Sequence, residues 1–131
     1  GTATTLDAID PDGCYRGGCI LAGVQISMNA LFQRTAQLPQ IELAVPDTFL
    51  GMDTVSHIQI GGVLGYIGSV EYLIRNTKAE LEGGEHAKVV ATGGLARLIA
   101  ENTDTIDVVD GGLILDGLVS IYEKYKAEKD K

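Results

Sequence analysis

The first seven residues, Gly1-Thr2-Ala3-Thr4-Thr5-Leu6-Asp7, place a glycine and three hydroxyls at the head of a β-type run. A hairpin that opens this way offers backbone N–H groups and hydroxyls to a phosphate, and phosphoryl transfer depends on positioning and on neutralising developing charge. Threonine also favours strands through its β-branch alone, so Thr4 and Thr5 read equally well as strand formers. A second candidate is Thr92-Gly93-Gly94, which follows a strand-like run and precedes the short helical pattern begun by Leu95, Leu98 and Ile99. Strand, glycine turn and helix N-terminus together make a potential nucleotide site. An ordinary tight βα turn uses glycine as well, and the local sequence favours that plainer reading. Cys14 and Cys19 have no second pair, and His57 and His86 are the only histidines, so no zinc spacing can be assembled. Both thiols read as reduced packing residues of a cytosolic protein, and neither is taken as catalytic.

These residues need a scaffold, and 131 residues fit one domain, residues 1–131. At that length folding buries roughly two-thirds of the unfolded chain's surface. Hydrophobic residues make up 45% of the chain and the mean hydropathy is +0.14, which predicts apolar surface that meets another protein surface. No run reaches the ~20 consecutive apolar residues of a membrane span. A net charge of -8 and a pI near 4.5 argue against sequence-independent nucleic-acid binding, which needs clustered Lys and Arg. With no initiator Met and no leader-like pattern at Gly1, the chain reads as the second half of something larger.

Residues 2–9 and 14–21 predict a hairpin about the turn Asp10-Pro11-Asp12-Gly13. Gly17, Gly18 and Gly23 in or after its second strand point to close approach by a ligand or another element, or to a bulge. From Val24 to Ala36 the pattern is helical, with Ile26, Ala30 and Leu31 near one stripe. Residues 40–45 alternate as a short strand before Pro46. The longest helix is predicted from Thr54 to Leu81, with Val63, Ile67, Val70 and Ile74 on one face and Gly61, Gly65 and Gly68 on another. Counting Gly62, four glycines cost an isolated helix about 4 kcal/mol against alanine, so close packing must compensate. Intramolecular helix packing and a homodimer seam account for that face equally well. Gly83-Gly84 ends the helix, and residues 87–91 predict a strand. Residues 111–126 predict an amphipathic helix with Ile114, Leu118, Ile121 and Tyr125 in register, followed by a frayed charged tail.

The succession Gly1-Thr2-Ala3-Thr4-Thr5, Gly17-Gly18-Cys19-Ile20-Leu21-Ala22-Gly23, Thr35-Ala36-Gln37-Leu38-Pro39, Gly51-Met52-Asp53-Thr54, Gly65-Tyr66-Ile67-Gly68 and Thr92-Gly93-Gly94 resembles the type III pantothenate kinases. No one of these motifs is specific; their order and spacing are, and the match covers the C-terminal half of that family's chain. The resemblance implies an α/β, actin-like ATPase (ribonuclease H-like) domain, a mixed sheet with flanking helices and one long glycine-lined helix. It implies ATP-dependent phosphorylation of pantothenate, the first step of coenzyme A biosynthesis, in a cytoplasmic homodimer joined through the long helix. ATP, Mg2+ and a monovalent cation, K+ or NH4+, are the implied cofactors.

On that resemblance Gly1 and Thr2 bind ATP, Gly93 and Gly94 form its adenosine-side turn, and Thr54 contacts pantothenate across the dimer interface. Helix N-capping by Asp53 or Thr54 is the alternative use of that position, and the two roles can coexist. The family's general base, its phosphate loop and its cation ligand are expected upstream of Gly1, in a missing N-terminal domain, so this chain alone is expected to be inactive. No residue here is assigned as catalytic or as a metal ligand. Asp10 and Asp12 flank a turn proline and are not nominated as the base, nor is Asp7. Two departures stand out: Ala22-Gly23 replaces the usual Pro-Gly, and Asp53 replaces an Asn. The second puts a carboxylate near an anionic substrate unless Asp53 points away as a cap. A non-catalytic accessory or regulatory protein derived from the same family is the alternative reading.

Overall fold

The computed structural model describes residues 2–35 and 39–129. Gly1, the centre of the Thr35-to-Pro39 motif and the last two residues of the tail therefore lie outside the described residues. The chain forms two compact units, Gly1–Ala87 and Lys88–Lys131.

In the first unit β1 (Ala3–Ile9) and β2 (Tyr15–Ala22) pair antiparallel, in register from Ala3↔Ala22 to Ala8↔Gly17. The next pair, Ile9↔Tyr15, skips Arg16 and makes a one-residue bulge. The Asp10 carboxylate closes the turn by accepting from the N–H groups of Asp12 at 3.0 Å and Cys14 at 2.8 Å. The predicted hairpin is thus present, and the glycine of the second strand sits at the bulge. Its neighbour Gly18 lies against the partner strand, where an added Cβ would stand 2.2 Å from the Leu6 carbonyl oxygen.

Helix α1 (Val24–Arg34) follows at once and ends where Thr35 turns extended, short of the predicted Ala36. Its buried residues are Val24 and Met28, whereas the predicted stripe of Ile26, Ala30 and Leu31 is exposed. The reason is local shape. Gly62 of the long helix leaves a space that Met28 fills, and a Cβ there would stand 2.0 Å from the Met28 sulfur. Residues 40–45 alternate in burial as expected of a strand, yet pair with no ladder among the described residues.

The long helix runs over residues 54–80 as α2 (Thr54–Gln59), a π-helical segment (Ile60–Leu64) and α3 (Gly65–Glu80). Val63, Ile67, Val70 and Ile74 are all buried, as their spacing predicts, and Ile58 joins them. In an unbroken α-helix Ile58 and Val63, five residues apart, would lie about 140° apart around the axis. The π segment, marked by the Gly65 N–H donating to the Ile60 carbonyl, absorbs one residue and returns both side chains to one stripe. The other glycine face stays open: no heavy atom beyond the excluded neighbours stands within 4 Å of a Cβ added at Gly61 or Gly68. A shallow groove there is lined by Leu21, Gly65, Gly68, Ser69, Tyr72 and Leu73. Gly83, at φ 69°, turns the chain out of the helix in the left-handed region that glycine adopts without strain.

In the second unit β3 (Val90–Ala91) pairs parallel with β4 (Val108–Val109), flanking α4 (Ala96–Ala100). The predicted strand 87–91 is shorter than expected because its first residues are held differently. The Val89 N–H donates to the Asp107 carboxylate at 2.8 Å and Lys88 Nζ to the same group at 3.0 Å. Ala96 and Ile99 are buried here. Helix α5 (Leu113–Lys129) continues through the charged residues expected to fray, as far as Lys129. Ile114, Leu118, Ile121 and Tyr125 are each more than half exposed, and so are Leu115, Val119 and Tyr122, so its apolar surface is not confined to one stripe.

The expected mixed sheet is accordingly two two-stranded sheets among the described residues, one antiparallel and one parallel. The fold is mixed α/β. No described helix is long and apolar enough to cross a membrane.

Candidate functional site

The open end of the hairpin meets the start of α1. The Gly23 N–H donates to the Thr2 carbonyl at 2.9 Å, which holds the exposed Thr2 beside the first turn. Gly23 is the N-cap and supplies no side-chain oxygen. The first N–H groups of a helix have no intrahelical acceptor and carry the positive end of its dipole, so they are donors suited to an anion. The three hydroxyls expected to act together are not equivalent. Tyr66 donates its hydroxyl to Thr4 Oγ1, tying β1 to the long helix. Thr5 stands on the other, exposed face of β1. Thr2 is the one left beside the helix start.

A second cluster surrounds the start of the long helix. Asp53 is the N-cap: its carboxylate accepts from the Ser56 N–H at 3.0 Å, and Ser56 Oγ lies 3.3 Å from the Asp53 N–H, completing a capping box. The Ser56 N–H first, then the closeness of the Ser56 hydroxyl and of His57, hold the Asp53 carboxyl below its ordinary value. The carboxylate is therefore directed into the helix, as a cap should be. Thr54 is the first helical residue and is exposed, with the capping done by its neighbour. His57 Nε2 lies 2.8 Å from the Gly51 carbonyl. Because a carbonyl only accepts, the ring nitrogen carries the proton. A Cβ on Gly51 would come within 2.5 Å of the His57 ring and 2.7 Å of Ser56 Oγ, so the loop lies flush on the first turn.

In the second unit Gly93 adopts φ 102° and its carbonyl accepts from the Ala96 N–H at 3.2 Å. This is a tight turn into the five-residue α4, with open space within 4 Å of where a Cβ would stand on Gly93 or Gly94. Among the described residues no group of three or more His, Cys, Asp or Glu side chains gathers as a metal site. Sequence reasoning offered Asp53 or Thr54 as the cap, and it is Asp53. It missed Tyr66 and His57, which reach partners in other elements and carry no local signal.

Comparison with known proteins places this geometry in a family. The family model for type III pantothenate kinase matches residues 1–76. The type III pantothenate kinase of Agathobacter rectalis is 46% identical over 124 residues, covering 95% of this chain and 47% of that protein. The type III pantothenate kinase of an Exiguobacterium species is 50% identical over 124 residues, covering 95% and 48% respectively. The chain thus spans about half the length of the curated relatives it matches. Its fold superposes on a crystal structure from Campylobacter jejuni, of a conserved protein assigned to the Baf family of transcriptional activators. The TM-score is 0.68 at 21% identity, over 96% of this chain and 55% of that one. With a family model matching more than half of its length and relatives near 50% identity, this chain belongs to the type III pantothenate kinase family.

Proposed function

We propose that residues 1–131 are the C-terminal domain of a two-domain, actin-like kinase that transfers the ATP γ-phosphoryl group to the primary hydroxyl of pantothenate in the cytoplasm. The observation that carries this reading is the 46–50% identity to type III pantothenate kinases along 95% of the chain. In it, Gly1, Thr2 and the uncapped start of α1 hold phosphate oxygens of ATP, where backbone donors favour negative charge. Gly93 and Gly94 border the adenosine. Thr54 donates its hydroxyl to pantothenate and, across a homodimer packed on the open glycine face of the long helix, serves the neighbouring subunit. The general base and the ligand for the monovalent cation come from the half of the enzyme that this chain does not span. Mg2+ bound with the nucleotide would supply charge neutralisation.

The Asp53 cap supports the kinase reading over an accessory protein. A carboxylate bonded to the first turn of its own helix is less free to repel an anionic substrate than one aimed at the site. The test is ATP-dependent phosphorylation of pantothenate by the full enzyme. Thr54→Ala should raise the pantothenate KM by about tenfold or more, the worth of a hydrogen bond to a charged group, with the ATP KM little changed. Thr2→Ala should do the reverse. Equal effects on both substrates would reduce Thr54 to a structural residue.

A further inference from the structure

The loop ahead of the long helix presents three large apolar side chains to solvent: Phe49 is 77% exposed, Leu50 83% and Met52 94%. A loop of that composition is drawn towards any apolar surface within reach, so holding it outward requires specific bonds. The structure supplies them in sequence. The Thr48 hydroxyl accepts from the Leu50 N–H at 3.0 Å, His57 Nε2 donates to the Gly51 carbonyl at 2.8 Å, and Asp53 and Ser56 exchange their capping bonds. Of these, the His57 bond alone ties the loop ahead of Asp53 to a side chain of the helix. It acts on a glycine with no room for a Cβ, so the two backbones can approach no other way.

The geometry points to His57 as a positioning residue for substrate. By pinning Gly51 to the first turn it fixes the direction in which Met52 leaves the loop and in which the Thr54 hydroxyl faces the pantothenate site; this rests on the pantothenate-kinase reading above. The role needs a donor at the position of Nε2 and no change of protonation. Glutamine, which carries an N–H2 group the same number of bonds from Cβ, should replace it where alanine cannot.

The experiment compares His57→Ala and His57→Gln with the wild type in the full enzyme. It measures the KM for each substrate and amide hydrogen exchange across residues 48–56. His57→Ala should raise the pantothenate KM by about tenfold, leave the ATP KM within about twofold, and speed exchange in the loop. His57→Gln should restore most of the pantothenate KM and the slower exchange. Faster exchange with both KM values unchanged would overturn the positioning role, as would unchanged exchange or an equal rise in both KM values that Gln fails to rescue. A wild-type enzyme that does not phosphorylate pantothenate would instead remove the functional reading, and this inference with it.

Discussion

The contact between Gly62 and Met28 yields a sharp test of how the long helix is held. Replacing Gly62 by Ala should gain about 1 kcal/mol of helix propensity. The new Cβ would, however, stand 2.0 Å from the Met28 sulfur, 2.9 Å from its Cε and 3.3 Å from its Cγ. Ordinary contact between such atoms is about 3.5–4 Å, so Met28 must withdraw by more than an ångström. It is only 2% exposed, with little space to withdraw into. Overpacking of this kind costs about 1–3 kcal/mol, and the adaptability of a methionine favours the lower half of that range. Gly68→Ala provides the reference, because it makes the same propensity gain where a Cβ meets nothing within 4 Å. The difference between the two variants cancels propensity and leaves the steric cost, about 1–2 kcal/mol with Gly62→Ala the less stable. Urea unfolding read by far-UV circular dichroism, with light scattering on the same samples, would measure it through the shift in midpoint at constant slope. In a Met28→Ala background the penalty at Gly62 should shrink, since the clashing atoms are gone. Equal stability of Gly62→Ala and Gly68→Ala would refute the account, and a penalty that survives Met28→Ala would shift its cause elsewhere.

Two further outcomes follow from the same helix. The Asp53 carboxyl, held below its ordinary value of 3.8 by the Ser56 bonds, stabilises the helix start above that value and loses the effect as pH falls through the lower, folded value. Asp53→Asn keeps a good cap without the titration, so the stability difference between wild type and variant should be flat above about pH 4 and drift in favour of the variant below it. A difference that stays constant down to pH 2 would contradict the capping assignment. On the proposed homodimer of the full enzyme, Gly65→Leu on the open glycine face should give a monomer by light scattering, and an unchanged mass would remove that face as the seam.

The legible parts of this fold are those in which local chemistry and tertiary packing agree. The hairpin turn follows from Asp10 and Gly13, the helix stop from Gly83, and the core stripe of Val63, Ile67, Val70 and Ile74 from unbroken α-helical spacing. Ile58 was not legible, because a π segment displaces it from that period. Neither was the buried face of α1, since Met28 is chosen by a vacancy on another helix and outweighs Ile26 and Leu31 only there. Residues 40–45 alternate like a strand but have no ladder partner among the described residues, and the two-residue β4 gives too short a pattern to read. At the candidate site, Thr2 and Thr54 could be named by family resemblance, while the bonds from Tyr66 and His57 depend on a partner 62 residues away in one case and on a loop carbonyl in the other.

The π segment also sets a rule of length for this chain. Deleting Gly61 or Gly62 would let residues 54–80 relax into a continuous α-helix, the wide turn having lost its surplus residue. The buried half, anchored by four side chains from Val63 onward, would keep its azimuth. Ile58 and Val63 would then stand four residues apart, about 40° around the axis, so the other half would keep its bearing as well. Ile58 would stay on the buried stripe and Thr54 would keep its bearing, with the capping box unchanged. The segment therefore holds one surplus residue that the helix can lose without a change of phase, so deleting Gly61 should be tolerated, whereas a second deletion between Thr54 and Val63 would turn the Thr54 end by about 100°.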